Sequence, residues 1–227
     1  MNISAHKIAI PPKYLEVNLA EIFSYNGDTT VALQSSEEYN ASMLYTRKGD
    51  RGTTKVFDSG SGQRISKSSQ LAETLGTMDE VNSFLGLCKE GARAWRLTHM
   101  GVPISDVVHS IQKDLFIIQA ELAGAEKSVT EDKVKSIENL IDSIERILPP
   151  ITTFFISGGT ELAARFDVAR TLARRAERRV VAVHESGERS LGDHTRAYMN
   201  RLSSVLYALA RLANHKSGIK EESPDYR

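Results

Sequence analysis

From about residue 69 onward, apolar side chains recur at intervals of three and four, the spacing of one face of an α-helix, and few strand-like alternations interrupt them. Five helices are predicted. The first, about 69–91, has Leu71, Leu75, Met78, Val81, Leu85 and Cys88 on one stripe, with Asp79, Asn82, Ser83 and Gly86 on another side. The second, about 104–124, carries Val107, Val108, Ile111, Leu115, Ile118 and Leu122, with Gly124 as its stop. A third, about 130–148, has Thr130 as a candidate cap and stops at Pro149 and Pro150. The fourth, about 161–185, has Thr160 as its candidate cap, and the fifth, about 193–216, lies between Gly192 and Gly218. Long helices on short connections predict an all-α, five-helix antiparallel bundle over residues 44–217. Residues 1–43 lack a sustained period and are expected to be an extension of separate, unassigned role. Residues 218–227 are expected to be a tail.

On a helical wheel, Arg170, Arg174 and Arg178 fall within about 80°, with Glu177 beside them. Phe166, Ala169, Leu172, Ala173, Ala176 and Val180 oppose them, and Arg175 and Arg179 lie further round. Two readings stand: a solvated face with Glu177 as internal counterion, or a clamp for a polyphosphate, whose paired oxygens suit guanidinium forks. On the fifth helix Asn200, Ser203, Ser204, Tyr207 and Arg211 share one side, opposite Leu202, Val205, Leu206, Leu209 and Ala213. The two polar faces could converge on one pocket or form a polar seam. "YTRKGDRGTTK" (45–55) mixes turn formers, cations and hydroxyls, so it reads as a hairpin or as a polyphosphate wrap. It lacks the Walker A spacing. In "FFISGGTE" (154–161) the two glycines permit a sharp turn, and the phenylalanines suit either core or an apolar wall beside a large planar ligand.

Charge and composition narrow the partners. Lys+Arg and Asp+Glu are each 29, so no global field recruits nucleic acid and the basic cluster must act locally. Cys88 is the sole cysteine, so no disulfide forms within the chain, which suits a reducing cytoplasm. No apolar run approaches the ~20 residues that span a bilayer, and neither a signal peptide nor a transit peptide is indicated. The histidines show no metal-ligand spacing.

Five stretches, "YTRKGDRG", "GTMDEVNS", "FFISGGTELA", "ARTLARRAERR" and "NRLSSVLYALAR", occur in the order and approximate spacing of the PduO-type ATP:corrinoid adenosyltransferases. The resemblance covers 44–217, about three quarters of the chain. It implies a homotrimer of five-helix bundles with active sites between subunits, where ATP and Mg²⁺ meet cob(I)alamin. It implies an ATP site drawn from Thr46, Arg47, Lys48, Gly49, Thr54, Lys55 and Lys67 and, across the boundary, from Arg174, Arg175, Glu177, Arg178 and Asn200. It further implies an Arg170–Asp79 ion pair forming the wall between nucleotide and corrin. Phe154 is expected to displace the lower ligand of cob(II)alamin, leaving a four-coordinate cobalt that is easier to reduce. A reductase and an adenosylcobalamin-dependent acceptor enzyme are the partners that follow, with no nucleic acid and no membrane. Two departures stand out: Ser157 replaces a usual proline, and "SGSGQR" (59–64) is longer than the usual connection. A nucleic-acid-binding helical protein and a non-catalytic ATP or corrinoid adaptor are the alternatives.

Overall fold

The computed structural model describes residues 45–58 and 63–226; the expected extension 1–43 lies outside them. The unit Thr46–Arg227 begins with a small hairpin, β1 (Thr53–Thr54) paired antiparallel with β2 (Ile65–Ser66). It is followed by α1 (Gln70–Ala94) and a second hairpin of β3 (Thr98–His99) and β4 (Val102–Pro103). The other helices are α2 (Ile104–Leu122), α3 (Glu131–Glu145), α4 (Glu161–Glu185) and α5 (Asp193–Lys216).

Local signals account for most of these boundaries. Ser69 and Thr160 cap α1 and α4 through side-chain oxygens that accept from Ala72 and Ala163 amides, satisfying donors that a helix start leaves open. Gly124, at φ 94°, follows α2 as a left-handed stop. Three expectations shift. α1 continues past Gly91 to Ala94, because Gly91 is packed inside the bundle beside Leu162 and Arg165. α3 ends at Glu145, three residues short of the expected end. Thr130 occupies its N-cap position without a side-chain capping bond.

α4 is the spine. Its buried Ala163, Ala169, Ala173 and Ala176 lack bulk, so α1 and α5 approach it closely on two sides. α2 packs on α1 and α3 on α5. Successive helices alternate in direction, yet α3 runs parallel to its neighbour α5, as Glu138 meets Arg201 and the Pro149 carbonyl meets Arg211. The 146–160 connection must therefore cross before α4 can start. The core is a single cluster from Leu71 to Ala213 that includes wholly buried Phe166, Leu202 and Leu206. Cys88 is buried in it, and desolvation pushes its thiol up to about 12. Asn82, expected beside Asp79 on a polar side, is buried and its backbone carbonyl accepts from Gln112. No helix among the described residues is long and apolar enough to cross a membrane.

Candidate active site

The arginines of α4 divide into two sets. Arg175 pairs with Glu80, and Arg179 lies 3.6 Å from Glu73, both on α1; these half-exposed pairs contribute little stability. Arg174 and Arg178 are exposed and meet no acid or acceptor among the described residues. Glu177 is not their counterion: it accepts from the Asn200 amide nitrogen at 2.8 Å, and the Asn200 oxygen accepts from Arg201 at 2.8 Å. α5 thus occupies the one nearby carboxylate and leaves two guanidinium groups available to an external anion.

Beside them lies a cavity of about 560 Å³ between the 151–158 loop, α4 and α5, lined by Phe154, Phe155, Arg170, Arg174, Tyr207 and Glu221, among others. Phe154 is 79% exposed, which is not the position of a core residue. Arg170 sits 5.8 Å from the Tyr207 ring centroid, and its Nε, buried, finds no hydrogen-bond partner. The expected Arg170–Asp79 pair does not form within the chain. Arg170 instead lies 3.8 Å from Asp167 on its own helix, while Asp79 is exposed on α1. Asp167 accepts the Gly158 amide at 2.9 Å. Burial raises its carboxyl above the usual range, opposed by the Gly158 amide and the Arg170 charge. Burial also raises the Tyr207 phenol, so it faces the cavity as a neutral donor.

Arg211, on the polar face expected either to line a pocket or to form a polar seam, lines the cavity with its guanidinium already engaged. It is 4% exposed, binds Glu221 and donates to the Pro149 carbonyl at 3.0 Å. Ser203 is buried and Ser204 exposed at the cavity. Residues that sequence reasoning missed are Asp167, Asn214 and Glu221. Asn214 accepts from the Thr160 amide and donates to the Gly158 carbonyl. Nothing in local spacing signals these roles, because each depends on where the crossing loop lands.

The N-terminal cations occupy a turn ahead of α1. Arg47 at φ 59° and Gly52 at φ 74° reverse the chain, and Arg64 fixes it by donating to the Thr53 hydroxyl and carbonyl at 2.8 and 2.7 Å. The Lys67 amide donates to the Gly52 carbonyl at 2.9 Å. A Cβ on Gly49 would lie 2.9 Å from the Lys67 ammonium nitrogen, so glycine there lets Lys67 cover the turn. The Lys48 amide reaches the Thr46 hydroxyl at 3.4 Å, and the Thr54 hydroxyl reaches the Lys55 carbonyl only at 3.5 Å. Lys48, Lys55 and Lys67 are exposed. α1, which this turn leads into, flanks α4 on the Arg175 and Arg179 side, whereas the cavity lies on the α5 side. One chain therefore presents the two halves of the expected site on different sides of α4. Among the described residues no cluster of three or more His, Cys, Asp or Glu side chains could hold a metal.

Residues 44–213 match the family model for cobalamin adenosyltransferase. The chain is 37% identical to a corrinoid adenosyltransferase of Citrobacter freundii over 189 residues, covering 80% of this chain and 97% of that protein. It is 38% identical to a corrinoid adenosyltransferase PduO of the same organism over 179 residues, 76% of this chain, and spans about half that longer relative's length, 50%. Its fold is similar to a variant PduO-type ATP:corrinoid adenosyltransferase from Lactobacillus reuteri complexed with cobalamin and ATP. The TM-score is 0.70 at 28% identity, covering 81% of this chain and 97% of that one.

Proposed function

The chain belongs to the cobalamin adenosyltransferase family, and from that premise we propose that it transfers the 5′-deoxyadenosyl group of ATP to the cobalt of cob(I)alamin. The observation that carries this reading is the unpartnered guanidinium group of Arg174 at a cavity walled by Phe154, with that of Arg178, also unpartnered among the described residues, one helical turn further along α4. The cobalt electron pair forms the Co–C5′ bond as the C5′–O5′ bond breaks, and its electrons leave with triphosphate. No proton is transferred at carbon, so no general base is required. Catalysis is alignment plus neutralisation of the departing polyanion.

Arg174 and Arg178 bind the phosphates, and Glu177 and Asn200, already bonded to each other, order the same face. Glu177 is the carboxylate bonded to Asn200 on this face and would be the residue to help hold Mg²⁺, which would supply further charge neutralisation. Thr46, Arg47, Lys48, Gly49, Thr54, Lys55 and Lys67 close on the nucleotide from a second copy. The assembly is a homotrimer, in which Asp79 of one copy meets Arg170 of the next. Two features support this: Asp79 is exposed, and Arg170 Nε is buried without a hydrogen bond, its nearest acid Asp167 standing off at 3.8 Å. Exposed Leu87 and Val168 add apolar area to that contact. Arg175, engaged with Glu80, must exchange partners to reach phosphate. The reaction belongs in the cytoplasm, downstream of a reductase and upstream of an enzyme that uses adenosylcobalamin.

Nucleic-acid binding along the Arg170–Arg179 face is not favoured. Arg175 and Arg179 are paired to α1 and Arg170 faces the cavity, so no continuous basic stripe is available. The test is direct: protein, ATP, Mg²⁺ and chemically reduced corrinoid should yield the alkylcobalamin absorption spectrum. A cob(I)alamin spectrum that persists until air oxidation refutes the reading.

Phe154→Ala separates the two halves of the chemistry. Turnover from cob(II)alamin is expected to fall about tenfold, a barrier increase of ~1.4 kcal/mol, while turnover from prereduced cob(I)alamin falls far less. Equal losses from both substrates remove Phe154 from the reduction step.

A further inference from the structure

We propose that Glu221, acting through buried Arg211, is a positioning residue for Phe154, so that the C-terminal segment sets the geometry of the loop that walls the cavity. This rests on the adenosyl-transfer reading above. The 149–160 loop is anchored in two halves. Its second half is held by the bundle: the Gly158 amide donates to Asp167 at 2.9 Å, the Gly158 carbonyl accepts from Asn214 at 2.8 Å, and the Thr160 amide donates to Asn214 at 2.9 Å.

Its first half is held by Arg211 and the C-terminal segment. Arg211 donates to the Pro149 carbonyl at 3.0 Å and stands 5.2 Å from the Phe155 ring centroid. The Ile156 amide donates to the Glu222 carbonyl at 2.8 Å. Phe154 lies between these anchors, exposed, with its neighbour Phe155 under the guanidinium.

Glu221 is what keeps Arg211 in place. Its carboxylate accepts from Arg211 Nε at 2.9 Å and Nη2 at 2.8 Å, and the pair is withdrawn from solvent, with side chains 4% and 16% exposed. Without the carboxylate, a buried guanidinium keeps only one carbonyl acceptor and must draw in water or turn toward the cavity. Either movement releases Pro149 and Phe155 together. The departure at Ser157 gives this clamp its importance. Serine leaves the backbone torsion free where proline would fix it, and the bond at Ile156 lies one residue upstream.

The test compares Glu221→Gln with Glu222→Gln, whose exposed side chain takes no part in the clamp. Glu221→Gln is expected to lower turnover from cob(II)alamin by about tenfold, to change turnover from prereduced cob(I)alamin by less than about twofold, and to leave the KM for ATP unchanged. Glu222→Gln should match wild type in all three. Equal losses from both corrinoid states, or a raised KM for ATP, overturn the proposal. Hydrogen exchange gives a readout that does not need turnover. Amides of 151–157 should exchange faster in Glu221→Gln while those of α4 and α5 do not change; unchanged loop exchange overturns the proposal even if activity falls. Should Glu221→Gln fail to fold, Glu221→Asp, which keeps the charge but shortens its reach, is expected to show the same split, and its absence is equally decisive. A wild-type chain that makes no alkylcobalamin counts against the parent reading, and the exchange result still decides this one.

Discussion

Replacing Arg174 and Arg178 together with alanine is expected to raise the KM for ATP by at least two orders of magnitude while leaving the melting temperature within a degree or two of wild type. Both side chains are exposed and have no partner among the described residues, so their removal breaks no contact of the fold and strands no buried group. A hydrogen bond to a charged group contributes about 1.5–3 kcal/mol, and tenfold in an equilibrium constant is about 1.4 kcal/mol. Each arginine is therefore worth roughly one to two orders of magnitude if it touches phosphate. Arg175→Ala and Arg179→Ala are informative comparisons, since those side chains engage Glu80 and Glu73. Steady-state kinetics over a range of ATP concentrations checks the prediction; a double variant with unchanged KM removes the phosphate from this ridge.

Asp114→Ala is expected to destabilise the fold by about 3 kcal/mol, with little change in the KM for ATP. Asp114 is 5% exposed and ties three helices: it binds Lys133 of α3 and accepts the hydroxyl of Tyr198 of α5 at 2.9 Å. Tyr198 is wholly buried, and burial, reinforced by the Asp114 charge, pushes its phenol well above the usual range. Deleting the carboxylate leaves that hydroxyl without its acceptor, at a cost of about 1–3 kcal/mol, and leaves Lys133 unpaired. Lys133 is about a third exposed, 35%, so water recovers part of its loss, which holds the total near the lower end for a broken buried pair. Tyr198→Phe introduced into Asp114→Ala should recover part of the stability, because the stranded group is then gone. Urea unfolding with an unchanged m-value measures both. Additive effects of the two substitutions rule out the coupling.

Helix number, order and most boundaries were legible in the sequence because their determinants are local. Thr160 and Gly124 act within a turn of their own positions, and the apolar stripe of α4 is the stripe that is buried, with Leu172 at its half-buried edge. A wheel gives direction without depth. Arg211 and Asn82 lie where polar faces were expected, yet both are buried, because a crossing loop and a neighbouring helix cover them. Ion-pair choice was equally invisible: Arg175 meets Glu80 across 95 positions of chain, a relation that spacing within one helix cannot encode. The Arg170–Asp79 expectation came from family resemblance, and a single chain lacks the geometry to make it. Residues 218–227, expected to be a tail, are tied back to the bundle, since Glu221 is bound to Arg211.

The buried Cys88 bears on chemistry it does not touch. A sulfhydryl whose ionisation burial pushes up to about 12 stays a thiol at neutrality, and the thiolate is the form that ligates metals and reacts with oxidants. Since the chain has no other cysteine, it offers cobalt no thiolate donor to compete with carbon.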